Sequence, residues 1–101
     1  MYRVQYLPLA LDDLKSIVKY ITNTLEAPRA AKNLVDKIDK EVLKIKKNPF
    51  RCHLYTPLEK LKFDYRVLNV DNFSLFYVIE NKKIEIHRVL YSQMDIVQIL
   101  K

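Results

Sequence analysis

The sequence predicts an α+β fold in which a helical hairpin packs on one face of a small, mainly antiparallel sheet, in the order β-α-α-β-β-β. Apolar residues alternate with polar ones at the amino terminus, and they recur every three or four positions from residue 8 to residue 47. Short apolar runs separated by turn residues fill the chain after residue 62. The length of 101 residues suits one domain, 1–101.

The first strand and the first helix are expected on either side of Pro8. Apolar side chains at positions 2, 4 and 6 alternate with polar ones, which is typical of a half-buried strand. From Pro8 the apolar residues keep helical spacing until residue 23 or 24. Asp12 and Asp13 lie near the start of this helix, where the helix dipole favours negative charge.

The second helix is expected to begin near Pro28, because proline suits a first helical turn. Its apolar stripe runs from Ala31 to Ile45 in steps of three and four. Asn48 and Pro49 should end the helix. Its other face is cationic, and Lys37 with Glu41 and Asp36 with Lys40 have the spacing of ion pairs within a helix.

Basic charge is concentrated in the middle of the chain. Residues 29–62 hold ten basic and four acidic side chains, so they carry the whole net charge of +6. This excess indicates an anionic partner such as nucleic acid or an acidic protein segment, with a solvated helix face as the alternative. The candidate side chains for binding a partner or nucleic acid are Lys37, Lys40, Lys44, Lys47 and Arg51.

Three strands are expected after a loop at residues 49–62. Residues 63–70 and 84–91 alternate, and residues 73–79 are nearly all apolar, which predicts a central strand. The breaks at 71–72 and 81–83 contain Asp and Asn, which tolerate the left-handed backbone of hairpin turns. A short tail helix capped by Asp95 is compatible with the final residues.

The composition excludes several classes of protein. The chain has no glycine, whereas a P-loop, a dinucleotide-binding turn and a nucleophile elbow all need it, so no nucleotide cofactor is expected. Cys52 cannot form an internal disulfide, and with His53 and His87 it gives no zinc-binding spacing, so no metal is expected. The amino terminus has no apolar signal core, and no apolar run is long enough to span a membrane. A cytoplasmic protein without a membrane partner is the expectation.

Polar residues among apolar neighbours on the predicted sheet are the candidate catalytic side chains. They are Arg66, His87, Arg88 and Tyr91. Alternation places His87 and Arg88 on opposite faces unless a bulge redirects one of them, so the sequence leaves open which one faces away from the helices. The structural alternatives are a half-exposed strand histidine and an Arg88 that is paired with Glu85 or Asp95.

Several segments together resemble the RelE/ParE superfamily of toxins. Residues 65–78 (YRVLNVDNFSLFYV) and 84–96 (IEIHRVLYSQMDI) resemble the carboxy-terminal half of these toxins. Residues 9–21 (LALDDLKSIVKYI) resemble their first helix, and Asn48 with Pro49 resembles the end of their helical hairpin. The resemblance implies the toxin of a bacterial type II toxin–antitoxin pair, held inactive by a cognate antitoxin.

The target is a separate question, because this superfamily divides into two branches. RelE-like members cut mRNA in the ribosome without a metal, and ParE-like members poison DNA gyrase. The RelE-type basic residues fall where this chain has Ser74, Gln93 and Met94. The resemblance therefore favours a ParE-like action on gyrase. A ribosome-dependent mRNA endoribonuclease is the alternative, and a non-toxic basic adaptor that binds nucleic acid is a further one.

Overall fold

The computed structural model describes all 101 residues and confirms the α+β class and the order of elements. Two long helices follow the first strand, and three strands and a short helix complete the chain. The bounds are β1 Arg3–Tyr6, α1 Pro8–Lys19, α2 Pro28–Lys47, β2 Arg66–Val70, β3 Phe73–Glu80, β4 Lys83–Tyr91 and α3 Ile96–Leu100. No helix is both long enough and apolar enough to cross a membrane.

The sheet has the strand order β1-β4-β3-β2. Its last three strands form an antiparallel meander, and β1 pairs with β4 in parallel. Strand β3 lies inside the sheet, as its apolar faces predict, and β4 is the other inner strand. The predicted strand at residues 63–70 begins only at Arg66, because residues 63–65 belong to the preceding loop.

The helices begin and end close to the predicted positions. Pro28 lies in the first turn of α2, and the N–H of Asn48 caps its end by donating to the Lys44 carbonyl. Helix α1 passes into a π-helical turn, Tyr20–Thr24, which accounts for the apolar spacing beyond its last α-helical residue. Asp12 and Asp13 lie beyond the first turn of α1, so the dipole effect expected for them does not apply.

Three residues have a left-handed backbone in this chain without glycine. Asp71 (φ 52°) and Asn81 (φ 57°) form the hairpin turns that were predicted from residue type. Glu26 (φ 52°) lies between the π-helical turn and α2. Its side chain has no special tolerance for this region, so the connection between the helices stores backbone strain.

The apolar core has two parts, one on each face of the sheet. The larger part packs α1 and α2 on side chains such as Leu75, Tyr77 and Ile86. The smaller part, on the other face, comprises Tyr65, Phe76, Leu90, Ile96 and Leu100. The face opposite the helical hairpin, expected to be partly open, is therefore covered by α3 and by side chains of the 55–61 segment.

Candidate functional site

A bulge in β4 determines where His87 and Arg88 lie. Phe76 of β3 pairs with Arg88, and the next residue of β3 pairs with Ile86, so His87 is the extra residue of β4. Both side chains line one depression of about 330 Å³ beside the start of α1 and the end of α3. The question left open by alternation is thereby answered: the bulge brings the two side chains together.

Arg88 is held by an aspartate of α1. Its Nε and Nη2 atoms donate to the two carboxylate oxygens of Asp13 at 2.8 and 2.9 Å. Asp13 also accepts from the backbone N–H of Val89 at 2.9 Å. The hydrogen bond to Asp13 raises the pKa of the Arg88 guanidinium. Neither Glu85 nor Asp95 is its partner, because the first residues after β1 turn into α1 and bring Asp13 to the edge of β4.

His87 lies in an aromatic setting with one ring nitrogen bonded. Its Nδ1 atom is 3.1 Å from the Tyr65 hydroxyl. The His87 and Phe63 rings pack edge to face, with their centroids 4.9 Å apart. Its Nε2 atom is buried without a hydrogen bond, although Glu85 Oε1 lies 3.5 Å away. The pKa of Glu85 is lowered, first by its hydrogen bond with Lys83 and further by His87. Burial raises the pKa of Tyr65, and the positive charge of Arg88 opposes that effect.

Arg66 lies outside the depression that His87 and Arg88 line. Its Nη1 atom donates to the Cys52 carbonyl at 2.6 Å, and its guanidinium lies 5.0 Å from the centre of the Phe50 ring. It therefore fastens the chain after α2 to the start of β2. No hydrogen bond or ion pair joins Arg66 to His87 or Arg88.

Tyr91 lies in a third place, at the mouth of an apolar groove. Its ring packs edge to face on Phe73, with the centroids 5.9 Å apart. The groove has a volume of about 750 Å³ and lies between the end of α1, the start of α2 and the turn before β3. Tyr20 and Leu25 line it and are each 54% exposed. We call it the hairpin groove. Sequence reasoning did not single out these two side chains, because they lie outside the apolar stripes of both helices.

The basic face of α2 is only partly neutralised. Lys37 bonds to Asp71 at 3.1 Å, at the rim of the hairpin groove, and Lys44 bonds to Glu41 at 2.6 Å. The expected pair of Lys37 with Glu41 does not form, because Lys37 binds Asp71 and Glu41 binds Lys44 instead. The expected pair of Asp36 with Lys40 does not form either. Of the five candidate cations, Lys40, Lys47 and Arg51 have no ion pair, and all three are exposed.

The structure thus places the four candidate catalytic residues in three locations. It brings together only His87 and Arg88, to which Asp13 and Tyr65 contribute. The sequence contained one weak signal for Asp13, an acidic residue on a helix that packs against a strand bearing an unexplained arginine. No group of three or more His, Cys, Asp or Glu side chains is arranged to hold a metal ion.

Comparison with known proteins adds two findings. A family model described as the ParE toxin of the type II toxin–antitoxin system, parDE, matches residues 4–96. A solved chain from a chromosomal ParDE toxin–antitoxin system of P. aeruginosa is similar, with a TM-score of 0.73 and 21% identity over 92% of this chain and 98% of that one. At that identity the likeness shows a shared fold. A comparison with curated proteins finds no match.

Proposed function

This chain belongs to the ParE toxin family of type II toxin–antitoxin systems, and we propose on that premise that it arrests bacterial growth and is neutralised by a cognate antitoxin. The observation that carries the proposal is the family match over residues 4–96, which includes both long helices and every strand except the first residue of β1. The proposed place of action is the cytoplasm, where the lone thiol of Cys52 is compatible with a reducing environment.

The hairpin groove is the proposed docking site of the antitoxin. Most of its lining is apolar, and Lys37 and Asp71 form a polar rim at one side. An amphipathic helix or strand with acidic flanks suits such a groove, because its apolar side would be buried while its charges meet the lysines of α2. Lys40 is exposed and has no ion pair to give up, so it is available for such a contact.

DNA gyrase is the proposed target. Cutting RNA requires a base, an acid and cations around one phosphate. In this structure Arg66 is bound to the segment after α2, Tyr91 lies at the hairpin groove, and Arg88 is committed to Asp13. Because these three side chains do not surround one phosphate, they favour a toxin that binds its target over one that cleaves RNA.

The environment of Ser74 also favours an action on gyrase over RNA cleavage. It takes a position at which RelE-type sequences carry a basic residue, and here it is buried in a short chain of hydroxyl and amide groups. Its hydroxyl donates to Asn69 at 2.7 Å and lies 2.7 Å from the Ser92 hydroxyl. With these partners Ser74 has a structural role at the ends of three strands.

An mRNA endoribonuclease remains the second candidate because of one observation. His87 and Arg88 share a depression with the Tyr65 hydroxyl, and the His87 Nε2 atom has no hydrogen bond. A histidine and a tyrosine beside an arginine could provide an acid, a base and a charge without a metal.

Expression of the chain alone in a bacterium tests the function and separates the targets. We expect growth arrest with accumulating double-strand DNA breaks, and rescue by co-expression of the protein encoded beside it. Cleavage of ribosome-bound mRNA without DNA breaks would instead establish the nuclease. Normal growth at high soluble expression would contradict the toxin proposal.

A further inference from the structure

A second exposed apolar surface lies at the opposite end of β2 from the hairpin groove. Phe50, Leu54 and Phe63 are each about half exposed, and Leu58 is fully exposed. We call this set, with the side chains between them, the loop surface. The groove begins beyond Val70, and the loop lies before Arg66, so the length of a five-residue strand, roughly 16 Å, separates them.

The backbone of the loop is fastened to the sheet beneath it. The N–H of Tyr55 donates to the Tyr65 carbonyl at 2.7 Å, and the N–H of Val67 donates to the His53 carbonyl at 3.1 Å. The Tyr55 ring also packs edge to face on Phe76, with the centroids 5.2 Å apart. Because these two hydrogen bonds flank Leu54, its backbone loses little further freedom when a partner binds.

Positive charge surrounds the exposed apolar side chains. Arg51, Lys60 and Lys62 are exposed and have no ion pair, and His53 is exposed beside them. The acidic side chains of this segment are Glu59, which pairs with Lys101 at 2.9 Å, and the exposed Asp64. The loop surface therefore combines exposed apolar side chains with an excess of positive charge.

We propose that the loop surface binds an acidic segment of a partner protein, one that carries apolar side chains between its carboxylates. Charge complementarity selects the acidic segment, and Leu54 and Leu58 require apolar contacts from it. The identification of this partner as the target of the toxin rests on the proposed function, because it takes the antitoxin to occupy the hairpin groove. The binding itself does not depend on that.

A protein segment fits this surface better than a nucleic acid does. Single-stranded nucleic acids gain their affinity by stacking bases on aromatic faces, which Leu54 and Leu58 do not have. The guanidinium of Arg66 covers one side of Phe50, and Phe63 is engaged edge to face with Tyr65 and His87. The side chain that protrudes most, Leu58, is aliphatic.

NMR titration of the isotope-labelled protein tests the inference. The probe is a synthetic peptide in which leucines alternate with aspartate and glutamate, and its control has every acid replaced by the amide. We expect the acidic peptide to shift the resonances of residues 50–63, with affinity that falls as salt rises. Equal binding of the amide peptide, shifts confined to the groove, or stronger binding of single-stranded RNA at the loop would overturn the inference.

A triple variant provides the matched test. Leu58→Ser with Lys60→Glu and Lys62→Glu changes only exposed side chains, so the melting temperature should stay near that of the wild type. We expect peptide affinity to fall about tenfold or more, because an apolar anchor is lost and two charges are reversed. The control variant, with Leu43→Ser, Lys32→Glu and Lys19→Glu, makes the same kinds of change on α1 and α2, and it should bind the peptide like the wild type. Unchanged affinity of the loop variant would refute the inference.

Growth assays then distinguish the two proposals. If the wild type arrests growth, the loop variant should not, while its affinity for the antitoxin stays within about twofold of the wild type. An arresting loop variant would contradict the assignment of this partner as the target. If the wild type does not arrest growth, the toxin proposal fails, and the peptide titration still decides whether the loop surface binds acidic segments.

Discussion

At the scale of single residues, the pair formed by Arg88 and Asp13 is the most informative contact. Asp13 accepts from Arg88 twice and from the Val89 N–H, so Asp13→Ala leaves a guanidinium and a backbone donor without partners. We expect this change to lower the free energy of unfolding by about 3 kcal/mol. The neighbouring exposed residue provides the control, since Asp12→Ala should cost less than about 0.5 kcal/mol. Chemical denaturation measures both.

The same pair decides whether Arg88 serves the target. Arg88→Ala also breaks the ion pair, but only this variant removes the guanidinium. We expect Arg88→Ala to abolish growth arrest and Asp13→Ala to retain part of it at matched soluble expression. Equal loss of toxicity in the two variants would make Arg88 a structural residue and remove it from the candidate site.

His87 separates the two branches of the superfamily. If its buried ring acts as an acid or a base in RNA cleavage, His87→Ala should lower the cleavage rate about 10²-fold or more. A gyrase-directed toxin should retain its activity, and we expect that outcome. Because the change also removes the hydrogen bond to Tyr65, a melting curve must accompany the assay.

Buried tyrosines predict a loss of stability in alkali. Burial raises the pKa of Tyr6 to about 12, and the nearby negative charge of Asp39 adds to the effect. The hydroxyl of Tyr6 therefore stays protonated in the folded chain while it ionises near pH 10 in the unfolded chain. Its contribution to stability is complete below about pH 10 and is lost as the pH rises towards 12, at up to about 1 kcal/mol per pH unit.

Denaturation curves at pH 8, 10 and 11 check this expectation. Burial also raises the pKa values of Tyr77 and Tyr65. The free energy of unfolding of the wild type should therefore decline steeply above pH 10. Tyr6→Phe should make the decline shallower. An identical slope in the two proteins would show that Tyr6 does not contribute to it.

At the scale of elements, the connection between α1 and α2 concentrates strain at one position. Glu26 has φ 52°, a region that costs an ordinary residue about 1 kcal/mol or more. Glu26→Gly removes this cost but increases the conformational entropy of the unfolded chain. We therefore expect the free energy of unfolding to rise by about 0.5 kcal/mol. Glu26→Val should lower the free energy of unfolding by more than about 1 kcal/mol, because a branched Cβ clashes more strongly with the backbone at positive φ. A loss with glycine would contradict the assigned backbone conformation.

The elements also show what a sequence can and cannot predict. Pro28, Asn48 and the turn at Asp71 act through local backbone chemistry, so the helix bounds and hairpins were predicted correctly. The bulge at His87 and the start of β2 depend on contacts between distant segments. Periodicity carries no information about such contacts, so the sequence offered a bulge only as an alternative. It could not decide whether His87 and Arg88 lie together or whether Arg66 lies apart from both.

At the scale of the whole molecule, the basic face of α2 should control the rate at which the antitoxin binds. Reversing Lys37, Lys40 and Lys44 to Glu replaces attraction with repulsion across a broad surface. We expect the association rate constant to fall about tenfold or more and to lose its dependence on salt, while the dissociation rate changes less. Stopped-flow measurements at several salt concentrations check this. An unchanged rate constant and salt slope would identify the face as ordinary solvated surface.

The parallel pairing of β1 with β4 predicts that this strand joins the sheet late in folding. Arg3 aligns with Lys83, so the pairing closes a loop that contains most of the chain. The helical hairpin and the β2-β3-β4 meander join neighbouring segments and can form early, whereas the docking of β1 carries the high entropic cost of a distant contact. Until β4 has been synthesised, the first strand has no partner. We therefore expect a newly made chain to spend an interval in which the backbone groups of β1 are unpaired and open to another strand.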